Sequence, residues 1–120
     1  MKKAQRNKLH KLLREYVILR DKKCLKCGKA KNLQTSHIYP RGKYPKMQFN
    51  TENVKALCLG CHLYWWHKHP IDAHEWAEKT LGKDLLSRLK KQSNMINKEP
   101  WNFEDIKHEI EQKIMEIENG

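Results

Sequence analysis

Two cysteine pairs, Cys24-Leu25-Lys26-Cys27 and Cys58-Leu59-Gly60-Cys61, lie thirty residues apart. In each pair, two intervening residues let the backbone wrap into a knuckle that presents both sulfurs to one tetrahedral ion at about 2.3 Å. Two such pairs predict a four-thiolate structural Zn2+ site. Gly28 follows the first pair and Gly60 lies inside the second, where tight turns call for freedom in φ. Disulfides fit poorly, because the opening residues Met1 to Lys8 carry charges with no hydrophobic segment of a secretory signal behind them. A single redox pair leaves the other CxxC unexplained. The metal is expected to staple the base of the thirty-residue insertion, in a chain too small for a large core.

Inside and beside the knuckles stand three polar residues. His37 falls on the strand candidate Thr35 to Tyr39, Asn53 lies five residues before Cys58, and His62 directly follows Cys61. Alone, His37 reads as a half-buried hydrogen-bonding residue. His62 could be a further zinc ligand, but four cysteines already saturate that ion. The order CxxC, strand histidine, then Asn-Val-x-x-Leu-Cys-x-x-Cys-His resembles the HNH endonuclease family, over about residues 20–69. The resemblance implies a small ββα-metal core: two antiparallel strands, an asparagine-bearing loop and a helix starting near the second knuckle. It implies His37 as general base, Asn53 as the central asparagine, and His62 as ligand of a catalytic divalent ion (Mg2+, Mn2+, Ni2+ or Zn2+). It also implies cleavage that leaves 5′-phosphate and 3′-hydroxyl ends.

The chemistry is coherent on its own terms. Phosphodiester hydrolysis needs a deprotonated water in line with the leaving oxygen, and a neutral imidazole suits that task near pH 7. It also needs positive charge on the developing phosphorane, which an ion with open coordination positions supplies. An amide both donates and accepts, so Asn53 is expected to hold the loop and help orient His37. The chain departs from the family at Ser36, where most members carry a metal-ligating aspartate before the base histidine. Ser36 and His67 are therefore the further candidate metal residues. His67 follows His62 by five residues, about 140° around an ideal α-helix, so both reach one ion only if the helix bends or ends between them. His10, His69, His74 and His108 stand in no pattern and read as surface or packing residues.

Pro40-Arg41-Gly42-Lys43-Tyr44-Pro45-Lys46 forms the turn after the strand of His37, so Arg41, Lys43 and Lys46 are candidate DNA contacts. The guanidinium fork of Arg41 suits two phosphate oxygens. No signature for base readout is present, and low sequence preference is expected. The run Trp65-Trp66-His67-Lys68-His69-Pro70 also resembles the tail of phage-encoded HNH proteins, including NinG-type recombination nucleases. That resemblance implies phage DNA processing or recombination, double-stranded or branched DNA as substrate, and packaging or recombination proteins as partners.

Elements must hold these residues in place, and a single α+β domain over residues 1–120 is expected. Leu9, Leu12, Leu13, Tyr16 and Val17 repeat at helical spacing and predict a basic amphipathic helix over 4–20. The turn-rich stretch 21–69 is the ββα-metal core with its four-cysteine zinc site. A helical extension covers 70–92, opened by Pro70 and capped near Gly82, and a polar connection runs from Gln92 to Pro100. Asn102 caps an acidic amphipathic helix over 101–118, with Phe103, Ile106, Ile110, Ile114 and Ile117 as its apolar stripe. That stripe is expected to pack on the body, with dimerisation as the lesser alternative.

The net charge of +11 is unevenly placed: residues 1–50 carry +13, 51–100 carry +2, and 101–120 carry −4. Lysines and arginines on phosphates release counterions, so the basic half points to a polyanion. No apolar run reaches the roughly 20 residues a bilayer requires, and a cytoplasmic location is expected, that of the host if the chain is phage-encoded. Two function classes remain open. One is a metal-dependent DNA endonuclease; the other is a non-catalytic zinc-stabilised DNA-binding module whose HNH motif has decayed at Ser36. RNA is a weaker third substrate, since no platform for stacking bases is evident.

Overall fold

The computed structural model describes residues 1–95 and 102–120. Helix α1 spans Lys3–Asp21. Its apolar stripe buries Leu9, Leu13 and Val17 completely, while lysines and arginines occupy the opposite face. The helix ends where Lys22 turns left-handed at φ 66° and its N–H reaches the Ile18 carbonyl.

Strand β1 (Leu33–His37) pairs antiparallel with β2 (Val54–Cys58), with Ser36 opposite Lys55 and His37 opposite Val54. β1 therefore begins and ends two residues before the stretch Thr35 to Tyr39. The Ile38 N–H still donates to the Asn53 carbonyl in register with the ladder, but the Tyr39 N–H is diverted to the Asn53 side chain and pairing ends there. Every residue of β2 is buried. A two-stranded sheet is marginal alone, and here α1 covers one face while the second knuckle covers the other.

After Cys58 the chain enters a π-helical turn, Cys61–Trp66, then α2 (Pro70–Leu81) and α3 (Lys83–Asn94). Gly82 separates them at φ 92°, a left-handed position that favours glycine. α3 continues through Asn94, so Gln92, Ser93 and Asn94 are helical rather than connecting; the rest of that connection, residues 96–100, lies outside the described residues, as does Trp101. Helix α4 (Phe103–Asn119) starts at Asn102, whose side chain accepts from the N–H groups of Glu104 and Asp105. Its Ile110 and Ile114 meet Leu9, Leu13, Val17, Phe49, Val54 and Ala56 in the main core. Burying such side chains contributes on the order of 1.5–3 kcal/mol each. The acidic helix thus packs against the basic one within a small compact α+β domain. A second cluster joins Cys24, Leu33, Leu57 and Cys58 to the edges of Trp66 and Trp76, so two tryptophans pack under the cysteine module. No described helix is long and apolar enough to cross a membrane.

Candidate functional site

The loop after α1 and the end of β2 bring Cys24, Cys27, Cys58 and Cys61 together, with ligand atoms all within 4.8 Å of one another. Each knuckle folds back on its own first sulfur. The Cys27 N–H donates to Cys24 Sγ and the Cys61 N–H to Cys58 Sγ, at 3.5 and 3.4 Å. Gly28 makes the first turn possible at φ 83°. Gly60 has no such need, because at φ −63° it sits in the ordinary helical region that begins the π turn. Burial pushes the Cys24 thiol up, but backbone N–H groups of Cys27, Cys58 and Lys26 outweigh it and bring it down to about 6. Cys61 is pushed far up by burial and then by the sulfurs of Cys58, Cys27 and Cys24. Cys24 thus forms its thiolate readily and Cys61 resists, and a dication among the sulfurs would favour the deprotonated form. The donor set fits a structural metal ion such as zinc.

Beside this cluster lies an open groove of about 790 Å³. β1 contributes His37 to its wall, the following turn contributes Arg41, and the π turn contributes His62, Trp66 and His67. The His37 Nε2 lies 2.9 Å from the Gln48 carbonyl, which only accepts, so Nε2 carries the hydrogen and Nδ1 is left for a groove ligand. Burial lowers the His37 pKa; the hydrogen bond to Gln48 opposes that, and the charges of Arg41 and Lys55 add to it. The ring is therefore neutral at pH 7.

Asn53 holds the frame around this histidine. It is fully buried, its Oδ1 accepts from the Tyr39 N–H, and its Nδ2 donates to the Tyr39 and Met47 carbonyls at 3.1 and 3.0 Å. Met47 precedes Gln48, so these bonds fix the carbonyl that orients His37. Asn53 does not itself line the groove. The Trp66 indole N–H donates to the His37 carbonyl at 3.2 Å, which ties the π turn to β1.

The π turn changes the relation of His62 to His67. Hydrogen bonds from i to i+5 bring residues five apart onto one face, and the two Nε2 atoms lie 3.0 Å apart. The 140° separation expected of an α-helix does not apply. Burial first, then His67, Lys55 and His37, lowers His62 to about 4. At 3.0 Å the two rings share a hydrogen bond, one nitrogen donating and the other accepting.

Ser36 does not join this site. It is fully buried on the strand face opposite His37, and its Oγ lies 3.2 Å from the Nζ of Lys55. Lys55, 1% exposed, also places its Nζ 3.2 Å from the centre of the Trp66 ring. Burial drives the Lys55 pKa well down, against the pull of Asp21. Lys55 Nζ and the Trp66 ring close Ser36 Oγ off from the groove, which Ser36 does not line.

Of the turn cations, Arg41 lines the groove, Lys43 lines an adjoining cavity, and Lys46 lies on neither. His10 and Arg14 of α1 and His74 of α2 are groove residues that spacing did not single out. The His10 Nε2 meets Gln48 Oε1 at 3.0 Å, and its ring stands 6.2 Å from that of His37. The Gln48 amide orientation is fixed because its Nε2 donates to the Pro45 carbonyl. One buried glutamine thus sets the tautomers of two imidazoles. The only signal for His10 was its place on the polar side of α1, among cations that masked it. No family model, curated protein or solved structure matches the chain.

Proposed function

We propose that the chain is a metal-dependent DNA endonuclease of the HNH type, hydrolysing phosphodiester bonds with low sequence preference. The observation that carries this reading is His37, with Nε2 tied to a carbonyl, sharing one groove with the His62 and His67 pair and Arg41. His37 Nδ1 takes a proton from the attacking water. The forked guanidinium of Arg41 binds nonbridging phosphate oxygens. His62 and His67 would hold a catalytic cation, which would supply positive charge to the developing phosphorane. No carboxylate lines the groove among the described residues. An imidazole donor set favours Ni2+ or Zn2+ over Mg2+ and Mn2+, which suit oxygen ligands. The cysteine cluster, on this reading, holds structural Zn2+ that braces the floor of the site.

The reading extends to phage DNA processing or recombination, with double-stranded or branched DNA as substrate. A second reading, a zinc-stabilised DNA-binding module without catalysis, is favoured by one observation: the family's aspartate position is a serine bound to a buried lysine. Incubating supercoiled plasmid with the protein and each of the four metals separates the two. Nicking by the wild type that is lost in His37→Ala supports the enzyme; salt-sensitive DNA binding with no nicking under any metal supports the module.

A further inference from the structure

A second cavity of about 700 Å³ opens from the first, sharing Ile38, Pro40, His74 and Leu86 with it. Beside Tyr39, Tyr44 and Glu78, its own lining carries three cations: Lys43 from the turn, and Lys83 and Lys90 from α3, with Ser87 between them. Lys83, Ser87 and Lys90 stand at i, i+4 and i+7, one face of the helix. At 1.5 Å per residue the two lysines are about 10 Å apart along the axis. The single carboxylate in the lining, Glu78, is engaged with His74 at 2.9 Å. Lys83 also occupies the first turn of α3, where a positive charge opposes the helix dipole. It contributes nothing there to helix stability, and its exposed ammonium faces the cavity instead.

We infer that this second cavity is a phosphate-binding subsite for the nucleic-acid strand whose scissile phosphate lies in the histidine groove. The inference rests on the nuclease reading for the identity of the strand. α3 is then a DNA-binding element: Lys83 and Lys90 take backbone phosphates to one side of the cut, with Lys43 of the same cavity.

The test is the salt dependence of binding by the full chain, in a His37→Ala background without added divalent metal, to a fluorescent DNA duplex. Each phosphate neutralised contributes about 0.9 to the slope of log K against log salt. Lys83→Ala with Lys90→Ala is expected to flatten the slope by about two and to raise Kd at least about tenfold near 0.1 M salt. Lys107→Ala with Lys113→Ala on α4 removes the same charge from residues on neither cavity, and is expected to leave the slope unchanged. Equal slopes for the two double variants, or no DNA binding by the parent, would overturn the inference. Plasmid cleavage by the wild type is scored separately. Its absence sinks the nuclease reading while the slopes still decide the subsite, and intact cleavage with unaltered slopes sinks only the subsite.

Discussion

At the scale of single residues, the hydrogen bonds of Gln48 matter more than the presence of histidines. A histidine acts as a base only through a nitrogen that is free and unprotonated, and the Gln48 carbonyl leaves His37 its Nδ1. Burial lowers the His37 pKa below 6.5, so the neutral base form persists as the pH falls through that value. His62, lowered to about 4, stays neutral over the same range. The acidic limb of the pH–rate profile is therefore expected below pH 6.5; a limb at pH 7 or above contradicts the assignment. Ser36 gives a second prediction. Ser36→Asp places a carboxylate at a fully buried position beside the Lys55 Nζ rather than in the groove. It is expected to leave divalent-metal affinity within about twofold, and titration calorimetry showing tenfold tighter metal binding would refute that. The motif histidines and cysteines were legible because their spacing is local. Lys55 was not, because β2 is covered on both faces and the polar–apolar alternation of a half-buried strand is lost.

Among the elements, the π turn Cys61–Trp66 brings the candidate metal pair together. A sequence read at 3.6 residues per turn sends His62 and His67 to different faces; a turn with i to i+5 bonds brings them to 3.0 Å. Such turns carry no periodic signature, so this was illegible in the sequence. Deleting Tyr64, which is exposed, is expected to return the segment to an α-helix with the two histidines at i and i+4, again on one face. Metal binding at the pair then survives the deletion, and its loss from a folded variant, measured by calorimetry, would show that the π geometry itself is required. The loop holding Gln48 depends in turn on Asn53. Asn53→Ala removes three hydrogen bonds from a fully buried position, and is expected to destabilise the fold by about 2–4 kcal/mol in urea unfolding. The amphipathic helices were readable from their stripes, and Pro70 and Gly82 mark the ends of α2. The C-terminal end of β1 was not, since the side chain of the distant Asn53 takes the Tyr39 N–H there.

For the whole molecule, the charge separation and the cysteine cluster explain each other's placement. The acidic helix α4 packs on α1, leaving the cationic side of α1, with Arg14, and the Arg41 turn along the groove. β1 lines the groove through Gln34, Thr35 and His37, and the cysteine cluster packs with Leu33 at the start of β1 and includes Cys58 at the end of its partner β2. Removing zinc with a chelator is expected to lower the Tm sharply and to abolish DNA cleavage together with it; an unchanged Tm would remove the cluster from any structural role. The central claim is that His37 activates water for phosphodiester hydrolysis. It is tested most directly by the rate of plasmid nicking, with Mn2+ or Ni2+ present and the structural metal retained, for the wild type against His37→Ala. Loss of a positioned general base predicts a decrease of about 10²–10⁴-fold, with DNA binding intact. Equal rates for the two proteins, or no nicking by the wild type under either metal, would contradict it.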